Sequence, residues 1–281
     1  MRAFQLLCFL LLLIPCSVWS QGGLPQNAGA RGAAMGNASA TFTDINSAFS
    51  NQAGLGFLEH MSFTAYGERR FLADGLNSFL FAGAYPHKKF GTFGLSVNYF
   101  GFQGYNEQKV GLAYARKLFK RMSLGVQVDY LGTRIAEYGS AHAVTFELGV
   151  LVKITDQFSL GAHTYSPIRI KLPNQDFIPG NIKIGAAYQP GESVVLTAEL
   201  EKGLDNHPFI GRFGVEYWPV HAFAIRAGVS TDPVLASFGM GVRFKGLYID
   251  VAANYHMVLG FTPTMSLSYV VGEKSKAEPK D

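Results

Sequence analysis

The sequence predicts an all-β protein, a 14-stranded antiparallel transmembrane β-barrel of the outer membrane with a small N-terminal plug. Only 16% of its 281 residues are charged, and 32 are glycine, whereas about a quarter are charged in typical soluble domains. From residue 61 onward, apolar and polar residues alternate with a period of two, which is typical of strands with two different faces. No stretch after residue 20 has the roughly 18 apolar residues of a membrane helix. These observations favour strands that cross a membrane.

Residues 1–20 are predicted to be a secretory signal peptide. Arg2 supplies the positive charge, residues 6–14 form a short apolar core, and small residues precede a cleavage site before Gln21. A lipoprotein signal that uses Cys16 is the alternative, but Pro15 stands where a small residue is expected. The sequence therefore predicts export.

The mature chain, residues 21–281, is predicted to contain no cysteine. Both cysteines, Cys8 and Cys16, lie inside the signal peptide. Disulfides, cysteine-ligated metals and a cysteine nucleophile are therefore excluded. A sheet that closes on itself is another way to stabilise an exported protein, because every backbone donor and acceptor then finds a partner.

Residues 61–271 are predicted to form the barrel. Most of its alternating segments have the roughly 9–11 residues that a tilted strand needs to cross a bilayer. They lie at residues 61–70, 77–86, 91–103, 107–118, 121–135, 141–154, 157–170, 180–189, 193–203, 208–218, 221–230, 235–245, 247–259 and 263–271. Fourteen is an even number, as in bacterial single-chain barrels.

The connections between these segments alternate between short and long. The short ones lie around residues 87–90, 119–120, 156, 190–192, 219–220 and 246, and the longest spans residues 167–180. Outer-membrane barrels have short periplasmic turns and longer external loops, and the aromatic residues near the strand ends are typical of membrane interfaces. A turn at Gly246-Leu247 would place Lys245 opposite Tyr248 and Arg243 opposite Asp250.

The polar faces of segments nine to thirteen carry charges of both signs. Unpaired charges are costly in a confined lumen, so adjacent strands are expected to pair groups such as Glu216 and Arg226. A salt-bridge network that fills the lumen is favoured over a polar permeation path, because ion-selective pores usually have an excess of one sign. The candidate residues are Glu199, Glu201, Arg212, Glu216, Arg226, Arg243 and Asp250.

Residues 21–60 are predicted to be a plug, or hatch, inside the barrel mouth. They are rich in Gly, Ala, Ser and Asn, which permit close packing but supply little core. Asp44 is a candidate N-cap for a short helix over residues 45–49. Phe42, Ile45, Phe49 and Asn51 are the candidate residues of the plug and of an apolar pocket beneath it. At the other end, residues 272–281 are predicted to be a polar, solvated tail.

Several functional classes are not favoured. The formal charge of +4 is spread along the chain, whereas a nucleic-acid interface needs clustered Lys and Arg. The sequence has neither GxSxG nor HExxH, and its seven histidines lie mostly at strand ends or in loops. We therefore expect no enzyme activity, no catalytic or metal site and no cofactor.

The plug sequence resembles a known family. Residues 29–38 read GARGAAMGNA and are followed by Asp44, Ala48, Asn51, Ala53 and Leu55. This pattern resembles the opening of the PorV/PorQ family of Bacteroidetes outer-membrane proteins, which is similar to the FadL fatty-acid transporters. The family commonly has Asn-Pro-Ala where this chain has Asn51-Gln52-Ala53.

The resemblance implies two functions that stay open at the sequence level. PorV- and PorQ-type proteins serve type IX secretion, which implies a scaffold whose partners are secretion components; this is the main hypothesis. FadL-type proteins pass hydrophobic molecules through the barrel and out through a gap in its wall, which implies a channel for such molecules. Glycines of the third segment are candidates for a bend that opens a gap, although glycine recurs throughout the barrel. The resemblance also implies a Gram-negative outer membrane, in Bacteroidetes, whose lipid surrounds the barrel.

Overall fold

The computed structural model describes residues 27–168, 177–204 and 208–273. The predicted signal peptide, residues 21–26 of the predicted plug and residues 274–281 of the tail lie outside the described residues. Within the described ranges, no helix has both the length and the apolarity needed to cross a membrane.

Fourteen antiparallel strands form one closed barrel. The strands are β1 Ser62–Arg69, β2 Asn77–His87, β3 Gly91–Gly101, β4 Tyr105–Phe119, β5 Met122–Ile135, β6 Gly139–Lys153, β7 Phe158–Tyr165, β8 Asn181–Tyr188, β9 Val194–Gly203, β10 Phe209–Val220, β11 Phe223–Thr231, β12 Val234–Phe244, β13 Leu247–His256 and β14 Gly260–Val270. The helical elements are α1 Gly29–Ala34 and the 3-10 helices Ile45–Phe49, Gln52–Phe57 and Arg70–Leu72.

The first and last strands close the barrel. Ser62 of β1 pairs with Val270 of β14, and Glu68 pairs with Thr264. Every strand therefore has two neighbours, and no sheet edge is left to be satisfied in lipid. The predicted fold class and the strand number are confirmed.

The two faces of the wall have opposite polarity. Along β2, Phe79 and Phe81 point outward and are exposed, whereas Leu80 and Ala82 are buried inside. Most strands have Ser, Thr, Asn, Gln or charged residues on their inner face, and these are buried. An apolar outer band around a polar interior is the arrangement of a transmembrane β-barrel.

The hairpin between β12 and β13 differs from the sequence prediction. Phe244 pairs with Leu247, so the two turn residues are Lys245 and Gly246, with φ angles of 47° and 79°. Two consecutive positive φ angles are typical of a type I′ turn. Arg243 consequently lies opposite Tyr248, and Gly241 lies opposite Asp250. The predicted Arg243–Asp250 pair was wrong because the turn begins one residue earlier.

The glycine-containing strand β3 is paired along its length. Its residues 91–100 pair with β2 and its residues 92–101 pair with β4, without a register shift. Its glycines therefore do not interrupt the wall in this structure.

Candidate functional site

The plug, residues 27–60, lies within the barrel and consists of three short helical turns joined by tight bends. Gly and Ala supply five of the six residues of α1, so its backbone can approach the wall closely. Asp44 caps the following 3-10 helix, because its Oδ1 accepts a hydrogen bond of 2.8 Å from the backbone N–H of Asn46. The predicted cap is confirmed. Asn51 caps the next helix by accepting from the N–H of Ala53 at 3.2 Å.

A ring of inward-facing glycines lies where the wall meets the plug. A Cβ at Gly125 would overlap the backbone nitrogen of Ala53, and one at Gly161 would overlap the carbonyl oxygen of Ala40. Glycine in a strand often marks such a close approach of another backbone. A Cβ built on any glycine of the ring would lie within 3.0 Å of a plug atom. The ring consists of Gly94, Gly125, Gly149, Gly161, Gly185, Gly214, Gly228 and Gly239. At these eight positions of β3, β5–β8 and β10–β12, the absence of a wall side chain lets the plug contact the wall backbone.

Four buried glutamates of the wall accept hydrogen bonds from the plug; we call them the plug-binding glutamates. They are Glu68 of β1, Glu147 of β6, Glu199 of β9 and Glu216 of β10. Each also contacts a cation of the barrel, respectively Arg70, Lys109, Arg212 and Arg226. A buried carboxylate needs such compensation, since losing one partner leaves an uncompensated charge.

Glu216 is the plug-binding glutamate that contacts Arg31. The guanidinium of Arg31 donates to both of its oxygens at 2.8 Å, from Nε and Nη2, in a bidentate arrangement. Arg226 Nε donates to Glu216 at 2.6 Å, and its Nη1 donates to Asp250 at 2.7 Å. Arg31 also pairs with Asp44 within the plug. Burial opposes the charge of Arg31, but Glu216 and Asp44 outweigh it and raise the pKa of its guanidinium.

Glu199 contacts the plug backbone directly. Its Oε2 accepts from the N–H groups of Ser39 at 2.9 Å and Ala40 at 2.8 Å. Arg212 donates to Glu199 at 2.9 Å and also pairs with Glu201. Two backbone donors that would otherwise be buried without partners are thereby satisfied.

Glu147 forms a cluster that the sequence reasoning missed. Its carboxylate contacts Lys109, accepts from Gln52 Nε2 of the plug at 2.8 Å, and lies 2.8 Å from His163 Nε2. Gln52 stands where the resembled family commonly has proline, and proline could not donate this bond. Lys109 and His163 lie on strands outside segments nine to thirteen, where the candidates were sought. The alternating pattern indicates that both face the lumen, and it predicts a hydrogen-bonding lumen-side His163, but it does not indicate that they meet at Glu147.

Arg243 does not join these networks. It lies at the short-turn end of the barrel, where its Nη2 donates to the carbonyl oxygen of His221 at 2.9 Å. Its guanidinium is also 5.1 Å from the ring centre of Trp218. Of the sequence candidates, Glu199, Glu201 and Arg212 form one cluster, and Glu216, Arg226 and Asp250 form another.

Phe42, Ile45 and Phe49, which the sequence predicts to line an apolar pocket of the plug, are buried. Ile45 and Phe49 belong to a buried cluster with Leu80 and several alanines of the wall. Phe42 packs with Ala28 and Met35, and the guanidinium of Arg31 lies 4.3 Å from its ring centre. Phe42 also borders a cavity of about 120 Å³ near the turns after β6 and β8. A larger cavity, of about 440 Å³, lies at the same end of the barrel, beside the β2–β3 turn.

No protein-family model matches the sequence, and no curated protein matches it. Solved structures do match. A crystal structure of the Pseudomonas putida toluene transporter TodX has a TM-score of 0.67 and 13% identity, covering 89% of this chain and all of TodX. The fold is that of a FadL-like outer-membrane barrel.

Two further solved structures share this fold. A Pseudomonas aeruginosa FadL homologue has a TM-score of 0.62 and 16% identity, covering 88% of this chain and 98% of the homologue. The monoaromatic hydrocarbon channel CymD has a TM-score of 0.64 and 12% identity, covering 87% and 97% of the two chains. Identities this low show a shared fold, and they do not support membership of the PorV/PorQ family or a link to type IX secretion.

Proposed function

We propose that the protein is a FadL-like outer-membrane channel for small hydrophobic molecules, and that this structure is its closed state. The proposal depends on one observation: a 14-stranded barrel with an N-terminal plug that shares its fold with TodX. TodX is a toluene transporter and CymD a monoaromatic hydrocarbon channel. The comparisons therefore favour the channel hypothesis over the secretion scaffold that was the main sequence-based hypothesis.

The closed state follows from the contacts of the plug. The glycine ring brings the plug backbone against the wall, and the plug-binding glutamates fasten it at Asn27, Arg31, Ser39, Ala40 and Gln52. Other residues that face the lumen, including Lys109, Asp129 and His163, are also buried. A hydrophobic molecule that passes along the lumen must displace part of this packing.

Uptake of radiolabelled toluene by intact Gram-negative cells that lack their own hydrocarbon channel tests the proposal. We expect cells that express the protein to take up toluene several-fold faster than cells with an empty vector. The comparison must use intact outer membranes, because toluene crosses simple phospholipid bilayers unaided. Uptake equal to that of the vector, with the protein shown to be folded in the outer membrane, would contradict the proposal for this substrate.

A disulfide between plug and wall tests whether the plug moves. A Cβ placed on Gly185 would lie 3.0 Å from the Cβ of Ala40, so a plug shift of about 0.5 Å gives the 3.5–4.5 Å separation found in disulfides. In the variant Ala40→Cys/Gly185→Cys, we expect oxidation to abolish uptake and reduction to restore it. The reduced form of the same protein is the matched control. Unchanged uptake in the oxidised form would show that transport bypasses the plug.

The extensive closure also favours a second candidate, a scaffold that binds another outer-membrane protein. A pulldown from native outer membranes distinguishes the two. Recovery of a large translocon, together with uptake no greater than that of the vector, would favour the scaffold over the channel.

A further inference from the structure

A basic cavity of about 440 Å³ opens at the short-turn end of the barrel, which faces the periplasm in outer-membrane barrels. It lies on the rim, bordered by the end of the plug and by the ends of β2, β3 and β4, and its volume is in the range of small-molecule sites. We call it the rim cavity. Its lining residues are Gly56, Leu58, Glu59, Pro86, His87, Lys88, Lys89, Gly91, Thr92, Arg116 and Lys117.

The charge of the rim cavity is unbalanced. Lys88 and Lys89 of the β2–β3 turn line it together with Arg116 and Lys117, and among the described residues Glu59 is its one carboxylate. In the part of the chain that the structure describes, no carboxylate lies within 4.0 Å of these four cations. The lumen differs, because its cations, such as Arg226 and Lys109, contact carboxylates. The rim cavity therefore has an excess of positive charge that an anion would neutralise.

The outer surface beside the rim cavity is apolar and aromatic. The rings of Phe93 and Tyr114 are 5.4 Å apart on adjacent strands, and the Tyr114 hydroxyl donates to the carbonyl oxygen of Phe90 at 2.7 Å. Phe93 and Tyr85 are about half exposed. Such rings are typical of the level of the lipid headgroups.

The alternation of the strands connects this surface to the basic groups. Arg116 follows Tyr114 by two residues on β4, and His87 follows Tyr85 by two residues on β2. Each pair therefore shares the outward face, with the basic residue nearer the rim. A molecule with an anionic head and apolar chains would contact both surfaces at once.

We propose that the rim cavity binds the phosphate headgroup of an anionic phospholipid from the inner leaflet of the outer membrane. The phosphate lies among Lys88, Lys89 and Arg116, and the acyl chains extend along Phe93 and Tyr114. Basic pockets at membrane surfaces recognise anionic lipids through the same combination of charges. This site does not depend on what the barrel transports.

Nanodisc reconstitution tests the proposal. The full chain is placed in nanodiscs of phosphatidylcholine with a few per cent of phosphatidylglycerol, and bound lipid is counted by native mass spectrometry. In K88Q/K89Q/R116Q, we expect phosphatidylglycerol binding to weaken about 100-fold, since each basic residue near a membrane surface contributes roughly fivefold. Glu59→Gln removes the carboxylate that lines the rim cavity and is expected to strengthen binding.

The matched control is R69Q/R134Q/K245Q, which removes three exposed cations elsewhere on the protein. It is expected to bind as the unchanged protein does, and unboiled samples of all variants must keep the mobility of the folded barrel. Equal losses in both triple variants, or equal binding of phosphatidylcholine, would overturn the proposal. Displacement of the lipid by millimolar inorganic phosphate would also overturn it, and would indicate a site for free phosphate.

Discussion

The plug meets opposite sides of the barrel through two different kinds of contact. Against β2 and β4, Ile45, Phe49 and Leu55 pack on Leu80 and on wall alanines; we call this the apolar contact. Against β9–β13, Arg31 and the plug backbone bind a chain of buried charged groups; we call this the charged contact. The apolar contact is stabilised by the removal of apolar area from water, which is not directional, so it tolerates small shifts of the plug. The charged contact depends on the direction and distance of its hydrogen bonds, so it fixes one position of the plug.

The difference indicates how the plug is held and how it would be released. An apolar contact provides much of the favourable free energy, whereas buried ion pairs often contribute little net stability and instead strongly penalise a lost partner. Movement of the plug away from β9–β13 would leave Glu199 and Glu216 without part of their compensation. We therefore expect the charged contact to define the closed position, and the apolar contact to supply most of its stability.

The largest expected effect is that of Phe49→Ala at the apolar contact. Removing a buried phenyl ring from a packed core costs about 3–5 kcal/mol. Hydrogen exchange of the folded protein should show faster exchange over residues 45–57. Phe238→Ala, whose ring points to lipid, is the control and should leave this exchange unchanged. Equal effects of the two variants would contradict the importance of the apolar contact.

Arg31→Ala at the charged contact is expected to cost about 3 kcal/mol, because it removes one partner of a buried ion pair. Faster exchange should be centred on residues 29–44. Arg31→Lys keeps the charge but loses the bidentate geometry. Its exchange rate should therefore lie between those of the unchanged protein and Arg31→Ala. If Arg31→Lys exchanges as slowly as the unchanged protein, geometry does not define this contact.

Gly161→Ala in the glycine ring is expected to cost about 1–3 kcal/mol, the usual range for overpacking. The new methyl group would collide with the carbonyl oxygen of Ala40, which belongs to the backbone and cannot rotate away. Limited proteolysis of the plug in folded barrels measures its displacement. Gly191→Ala has no neighbour within 4 Å of the added carbon and should behave as the unchanged protein.

Arg243→Ala is expected to have the smallest effect, within about 0.5 kcal/mol, since its side chain contacts none of the plug-binding glutamates. A double-mutant cycle with Asp250→Asn in denaturant titrations should give a coupling energy near zero. The same cycle with Arg226→Gln, which does contact Asp250, should give a clear coupling. A strong Arg243–Asp250 coupling would support the register first expected from the sequence.

Local pattern was sufficient for the strands but not for the turns between them. The alternation of apolar and polar residues predicted all fourteen strands, because each strand lies between lipid and a polar lumen. The β12–β13 turn was misplaced by one residue because Lys245 adopts a positive φ that side chains rarely take. Gly246 is the first turn residue in the predicted register and the second in the observed one. A glycine is compatible with either position, so it did not distinguish the two registers.

Contacts within the site also differ in whether a local sequence pattern predicts them. The Glu216–Arg226 pair was expected from adjacent strands, and their register places them directly opposite. The bond between Gln52 and Glu147 joins residues 95 positions apart in the chain, and no local pattern indicates such a contact. The function of the glycine ring was also hidden, because a glycine facing another backbone cannot be told in the sequence from one facing open space.

By itself, the sequence determined the architecture of this protein, since bilayer thickness and strand periodicity constrain each segment separately. Only the tertiary structure decided which glutamates bind the plug, which glycines it touches and which basic residues at the rim lack a carboxylate. Those properties depend on distances between segments far apart in the chain, and closure of the barrel sets these distances.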